Sequence, residues 1–377
     1  MSDPAVAAHS VRAGATVFSS ARSTLFQTGP RPLVPGGSGA EQLRRTALAL
    51  DAEPEGVIAA GVVPFDLAMP GALRLGPGVR TSGPLVRHSA FPAKAVTVAR
   101  SRPQPAPEGY ADAVRATLAR IAAGEAEKVV LARTLELTAL DDWSVPDLAT
   151  ELSERNPAAT TLAIPIDDPA DPAARWLVGA SPELLLRRRG PSVLLQPLAG
   201  SAPRSAEPEE DLRRADALMS SDKDRREHAY VVEAIVEALK PFCRSVSAPE
   251  PELLATPAVW HLATRITALL SDTATTSVDL VAALHPTPAV GGVPRSSALQ
   301  IISDLEGIDR GCYAGAAGWQ DGDGDGEWMV AVRCAEVSGR ALRVFAGAGI
   351  VAGSDPAAEV AETAAKMRTV LDAAVRR

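Results

Sequence analysis

The sequence predicts an α+β fold built largely on antiparallel sheet, and three observations carry that reading. Short apolar, β-rich segments follow one another across tight turns, as at 175–179, 183–188 and 192–197. Helical periodicity comes in separate blocks, as at 207–219 and 222–240. No Ser/Gly or charge-run linker divides the middle of the 377 residues, so one large domain or two tightly fused halves is expected.

In chain order, residues 1–105 combine many Pro and Gly with short apolar runs such as Val57–Val63 and one helix near 39–51. They read as strands and loops packed into the same body. The Pro-rich passage Arg102-Pro103-Gln104-Pro105-Ala106-Pro107 leads into a helix at about 109–123, stopped by Gly124, and marks the best internal boundary. The main region is therefore 106–377. It opens with the strand Glu127-Lys128-Val129-Val130-Leu131-Ala132-Arg133. Further strands are expected at 160–165, 259–268, 312–319, 327–337 and 341–347, and further helices at 145–154, 277–283, 296–304 and 356–375.

Two stretches imitate well-known motifs. Asp321-Gly322-Asp323-Gly324-Asp325-Gly326 begins like a calcium loop, yet Val332 stands at the twelfth position where a bidentate glutamate belongs, so a hairpin turn is expected. Gly347-Ala348-Gly349-Ile350-Val351-Ala352 fits a dinucleotide fingerprint, but only one helix follows it and no second strand can supply the ribose-binding acid. Its glycines are read instead as letting backbone N–H groups approach an anion at a helix start.

Bulk composition narrows the function. A formal charge of −8 and a pI near 5.3 argue against a nucleic-acid surface, so an anionic substrate would be held by local positive charge. Cys243, Cys312 and Cys334 are odd in number and widely spaced, which fits neither a disulfide framework nor a structural zinc site. No run reaches membrane-span length and Met1–Pro4 does not begin a secretory leader, so a cytoplasmic protein with no membrane partner is expected, monomeric by default. Of 38 basic residues only five are lysines, Lys94, Lys128, Lys223, Lys240 and Lys366. A site needing charge alone could use arginine, whereas proton transfer near neutral pH needs an amine.

Two helices carry acids on their inner faces. At about 100° per residue, Asp224, Glu227 and His228 fall on the side of Val231, Ile235, Ala238 and Leu239. A buried carboxylate needs a positive partner, so this face looks onto a cation or a lined cavity, or else the acids serve the helix N-terminus. Near the C-terminus Ser354-Asp355-Pro356 caps a second helix, and Glu359, Glu362 and Lys366 share one edge with Val370 and Ala373, opposite Arg368, Asp372 and Arg376. Oxygen donors without a Cys or His pair suit a hard cation such as Mg²⁺.

Several segments together resemble the chorismate-utilising enzymes, most closely the isochorismate synthases of the siderophore-pathway type. They include Glu127–Arg133, Gly179-Ala180-Ser181-Pro182-Glu183-Leu184, Pro197-Leu198-Ala199-Gly200, Asp222–His228, Trp260-His261-Leu262, His285–Gly292, Arg333-Cys334, Gly347–Val351 and Glu362–Lys366, in family order. The resemblance implies the α+β fold of those enzymes, with 106–377 as the chorismate-binding catalytic region around a buried Mg²⁺-dependent site. It makes Lys128 the base that activates water for attack at C2, and Glu183 the acid that protonates the departing C4 hydroxyl. It places Mg²⁺ on Glu227 and Glu362, with Asp224 and Glu359 supporting through water, bridging to the ring carboxylate. It assigns Arg333, Lys366 and backbone N–H groups near Gly347 and Gly349 to the enolpyruvyl carboxylate. His261 corresponds to the histidine beside the leaving hydroxyl, and Gly200, Ala289 and Val290 line the substrate. Strand alternation across 327–337 would put Arg333 on one face with Glu327, Met329 and Ala331.

Within the family, anthranilate synthases carry glutamine where Lys128 stands, while aminodeoxychorismate synthases also carry lysine. Ammonia-using and salicylate-forming relatives carry threonine where Ala289 stands. The residues therefore favour water as nucleophile and retention of pyruvate. The alternatives are an aminating subunit working with an amidotransferase, and a salicylate synthase.

Overall fold

The computed structural model describes residues 14–28, 32–86, 96–167 and 174–375. Met1–Pro4 and Lys94 lie outside the described residues. The strands are β1 (Thr16–Ser19), β2 (Ser23–Gln27), β3 (Val57–Val63), β4 (Arg74–Ser82), β5 (Val98–Gln104), β6 (Lys128–Ala139), β7 (Thr160–Pro165), β8 (Trp176–Ser181), β9 (Leu184–Arg189) and β10 (Ser192–Gln196). They continue with β11 (Leu198–Pro203), β12 (Cys243–Ser247), β13 (Glu252–Ala255), β14 (Val259–Ala263), β15 (Ile266–Leu270), β16 (Gly292–Val293), β17 (Ala316–Asp321), β18 (Gly326–Val330), β19 (Cys334–Ser338) and β20 (Ala341–Val351). The helices are α1 (Gly39–Asp51), α2 (Pro107–Ala122), α3 (Val145–Arg155), α4 (Pro208–Ser220), α5 (Asp222–Leu239), α6 (Ser277–Leu284), α7 (Arg295–Leu305) and α8 (Pro356–Ala374).

These strand pairings are all antiparallel, as the succession of short turns implied. One path runs β6–β20–β19–β8–β7–β1–β2–β4. A second runs β4–β3–β17–β18–β9–β10–β15–β12. Strand β4 joins them, its first half paired with β3 and its second half with β2. Strands from before residue 105 thus pair directly with strands after it, β1 with β7 and β3 with β17. A small third sheet, β11–β14–β13, closes over one side of α5.

One apolar cluster joins both paths, with Leu131, Leu177 and Phe345 from the first meeting Val62, Leu186 and Trp328 from the second. A second cluster packs Leu148 and Leu152 of α3 and Met367 and Val370 of α8 against Val178, Val337 and Val344. Burial on this scale, at about 25 cal/mol per Å² of apolar area, is what holds polar groups rigidly in the middle.

The Asp-Gly run is a turn, Asp321–Gly326, joining β17 to β18, and the Asp321 carboxylate accepts from the Asp323 and Asp325 N–H groups. Two expected single strands are each divided. The 259–268 segment crosses from the third sheet to the second path at Thr264-Arg265, and 327–337 breaks between Val330 and Cys334. Strand β20 runs on to Val351, past the expected end at 347. Among the described residues no helix is long and apolar enough to cross a membrane.

Candidate active site

The floor of the site is the β6–β20 pair, with Lys128 opposite Val351, Val130 opposite Gly349 and Ala132 opposite Gly347. Lys128 is fully buried. Gly347 and Gly349 stand two apart and share a face of the strand. A Cβ at Gly349 would lie 2.1 Å from Glu227 Oε1 and 3.0 Å from Lys128 Cε, and one at Gly347 would lie 3.0 Å from the Tyr313 hydroxyl. The glycines therefore act by leaving space in mid-strand. They are not at a helix start, which corrects the expectation, since α8 begins only at Pro356. Lys366 Nζ donates to the Gly347 carbonyl at 3.0 Å. A residue's N–H and C=O leave a strand on the same side, so the Gly347 N–H also points to this edge, beyond Val344 where the β19 pairing ends.

Glu183 stands in the bend between β8 and β9, where the Ser181 hydroxyl accepts its N–H at 3.3 Å. Burial pushes its carboxyl up to about 7, although the Leu198 N–H on Oε1 and the charges of Arg333, Lys128 and Lys366 pull the other way. It is therefore an acid poised to hold a proton near neutrality.

Arg333 is not part of a strand, so the alternation argument for it fails. It lies between β18 and β19 with φ 55, a left-handed conformation that non-glycine residues seldom adopt. That bend directs its guanidinium onto His261, Nη2 donating to Nε2 at 3.0 Å. Arginine only donates, so Nε2 is the acceptor and the ring proton sits on Nδ1, toward the Gly200 backbone. Burial and then the charges of Arg333 and Lys366 hold the His261 pKa well below the ordinary range, and the imidazole is neutral.

The acids meet from two helices. Ser221 caps α5, accepting from the Asp224 N–H, and Asp355 caps α8, accepting from the Ala358 N–H. Glu227, His228, Val231, Ile235 and Leu239 are buried on α5, and Glu359, Val370 and Ala373 on α8, on the faces that helical periodicity assigned, while Thr363 and Met367 are buried on α8 beyond that assignment. Lys128 Nζ is 3.0 Å from Glu227 Oε1, close enough for an ion pair but at angles that make no hydrogen bond. Lys223 Nζ pairs with Glu359 at 3.0 Å, and Lys366 with Glu362, which also accepts the Ser201 hydroxyl at 2.8 Å.

The four carboxylates feel one another. Burial first, then Glu227 and Glu362, raise Asp224, while burial and Glu362 carry Glu359 up to about 7. Burial also pushes Glu362 upward, but Lys366 and Ser201 outweigh it and hold it below the usual carboxylate range. One oxygen of Glu359, Oε2, is buried without a hydrogen bond of good geometry, although the Ser354 hydroxyl lies near the carboxylate. Mutual repulsion among oxygen donors and a poorly satisfied buried oxygen suit a hard cation, so the residues fit Mg²⁺. Among the described residues no three His, Cys, Asp or Glu form a closed metal cluster.

Of the residues picked from sequence, Glu183, Glu227 and Glu362 line one cleft with Gly200, His261, Ala289, Val290, Arg333, Gly347, Gly349 and Lys366. Lys128 lies beneath Glu227. Asp224 backs Gly200, whose positive φ of +75 brings β11 so close that a Cβ there would lie 3.1 Å from Asp224 Cβ. Glu359 lies behind the lining with Lys223. Sequence reasoning missed Tyr313, whose ring stacks on Phe345 and lines the cleft, and Ser201 on Glu362. Ser201 directly follows the Pro197–Gly200 segment and was within reach of that signal, whereas Tyr313 sits in no recognisable pattern.

Residues 85–375 match the family model described as chorismate binding enzyme. The chain is 43% identical over 376 residues to isochorismate synthase DhbC of Bacillus subtilis, covering 97% of this chain and 94% of that one. It superposes with a TM-score of 0.90 on a Bacillus anthracis crystal structure provisionally named a 2,3-dihydroxybenzoate-specific isochorismate synthase, DhbC, at 36% identity and 98% coverage of each chain. A third likeness, with a TM-score of 0.81, 25% identity and coverage of 99% and 91%, is to MenF, the menaquinone-specific isochorismate synthase of Escherichia coli.

Proposed function

The chain belongs to the chorismate-binding enzymes, and from that premise we propose how its cleft works as an isochorismate synthase, an isomerase that converts chorismate to isochorismate. Lys128 takes a proton from water as the water oxygen bonds to C2. The ring double bond shifts, the C4–O bond breaks, and Glu183 delivers its proton to the departing hydroxyl, which leaves as water. The observation that carries this reading is that Glu183, whose buried carboxyl keeps its proton to about pH 7, lines the cleft, while Lys128 Nζ, with no hydrogen bond of its own, lies 3.0 Å from Glu227 on the wall of the same cleft. General acid–base catalysis needs a donor and an acceptor of protons within reach of the same substrate.

Glu227 and Glu362 would hold Mg²⁺, with Asp224 and Glu359 in support, and the bound cation would supply positive charge for the ring carboxylate of chorismate and for the crowded acids. Arg333, Lys366 and the Gly347 and Gly349 N–H groups receive the enolpyruvyl carboxylate, in a low-dielectric site where such pairing is strong. His261 holds the Arg333 guanidinium in place through its neutral ring. Gly200, Ala289 and Val290 shape the wall, and Ala289 offers no hydroxyl near the enolpyruvyl arm, which supports retention of pyruvate. The presence of a base in Lys128 supports water as nucleophile, with no amidotransferase needed.

Purified protein incubated with chorismate and Mg²⁺, without any amine source, is expected to accumulate isochorismate. An aminated product on adding ammonia, or stoichiometric pyruvate, would contradict the reading.

A further inference from the structure

Strand β6 has an incomplete edge. On the side away from β20 it pairs with β5 at residues 134–139 and with β16 at 128–129, and the Val130 N–H still donates to the Gly291 carbonyl at 2.8 Å, which leaves the Val130 carbonyl and the Ala132 N–H without a partner strand. A buried strand edge with open backbone groups is costly, because each orphaned N–H or C=O forfeits its hydrogen bond. The gap begins two residues from Lys128, and Val130 lines the catalytic cleft.

Two side chains fill the gap. Glu306 Oε2 accepts the Ala132 N–H at 2.8 Å, and Arg310 Nη2 donates to the Val130 carbonyl at 2.7 Å. The two are joined, Arg310 Nε donating to Glu306 Oε1 at 2.6 Å, and both are buried. Arg310 Nη1 reaches further and donates to the carbonyl of Val290 at 2.8 Å, on the loop that forms the opposite wall. Its guanidinium rests on the Phe65 ring, 4.2 Å from the centroid. The ion pair thus stands in for a missing strand, and one guanidinium ties the strand that presents Lys128 to the loop that presents Ala289 and Val290.

We propose that Glu306 and Arg310 are positioning residues for the reaction, fixing Lys128 relative to the substrate-lining Val290 loop. The inference rests on the reading of Lys128 as the base. An ion pair this deep gives little net stability compared with apolar side chains, because both charges are desolvated. Its distinctive property is geometry: the planar guanidinium serves two carbonyls and a carboxylate at once, which an ammonium cannot do.

The test is a double-mutant cycle with steady-state kinetics on the full chain. Arg310→Lys keeps the charge but loses the fork that reaches both carbonyls, Glu306→Gln keeps the volume but loses one acceptor oxygen, and both are expected to melt cooperatively. Each should lower kcat about 10-fold or more, with KM for chorismate changed by less than about threefold, because a small displacement of reacting groups has effects of that order. In a Lys128→Ala background the same substitutions should have almost no further effect on the residual rate, since the group they position is gone. Equal fold-losses in both backgrounds, a loss confined to KM, or a Glu306→Gln protein without a melting transition would overturn the proposal. Wild-type kcat in Lys128→Ala alone would instead refute the base assignment, which keeps the two failures distinct.

Discussion

Lys128 Nζ lies 3.0 Å from Glu227 Oε1, so the amine proposed to activate water touches a carboxylate proposed to hold the metal. The two residues come from different elements, the first residue of β6 and the second turn of α5, and they meet only because Gly349 carries no side chain. The proposed base and the proposed metal ligand therefore share one structural unit, and the substitutions below probe it from different sides.

Removing the metal should stop the reaction. Dialysis against a chelator is expected to abolish turnover, and Mg²⁺ to restore it. Glu227→Gln or Glu362→Gln should each lower kcat by at least about 10²-fold while circular dichroism and melting stay close to wild type, because each loses a hard ligand but keeps its volume. Full activity in excess chelator would refute the metal assignment.

Acid and base should separate by pH. Lys128→Ala and Glu183→Gln are each expected to lower kcat by about 10²-fold or more. Burial raises Glu183 to about 7, so its protonated form, the one able to donate, is depleted as pH rises through that value. Wild-type kcat/KM should accordingly fall above pH 7, and the limb should vanish from the residual activity of Glu183→Gln. A persistent limb at the same pH would assign it to another group.

Gly349→Ala tests the space between the elements. The added methyl would stand 2.1 Å from Glu227 Oε1, so either the carboxylate or α5 must move. The expected result is a folded protein with kcat reduced about 10²-fold and a raised Mg²⁺ requirement, measured by titrating activity with the metal. Gly353→Ala, where no atom lies within 4 Å of the added Cβ, provides a comparison, its effect confined to the strain of a positive φ.

Ala289→Thr places a hydroxyl in the cleft wall. Wild type is expected to release isochorismate with little pyruvate, whereas the threonine variant should give detectable pyruvate and salicylate by chromatography. A variant whose product mixture matched wild type would remove Ala289 from the determinants of the outcome.

The inner faces of α5 and α8 were legible in the sequence because helical period fixes which residues share a side, and both caps were in place to start the helices. Lys128 and Glu183 carried no periodic signal and were found through the resemblance of their segments. Arg333 was misplaced because a local reading extends a β-rich run through 327–337, while the left-handed residue that breaks it lies where the chain passes from β18, paired with β17 and β9, to β19, paired with β20 and β8. Gly347 and Gly349 were read for their N–H groups, although their missing side chains do as much, and that needed Glu227 and Tyr313 in space. Glu306 and Arg310 were not singled out in the sequence, and only the gap between β5 and β16 gives them a use.

The central claim, that water is the nucleophile and the C4 hydroxyl departs, is tested most directly by running the reaction in ¹⁸O-labelled water and locating the label in isochorismate by mass spectrometry and NMR. The account predicts one ¹⁸O per product at C2, and loss of that product in Lys128→Ala. Isochorismate whose C2 oxygen carries no label, showing that the C4 hydroxyl itself had migrated, would contradict it.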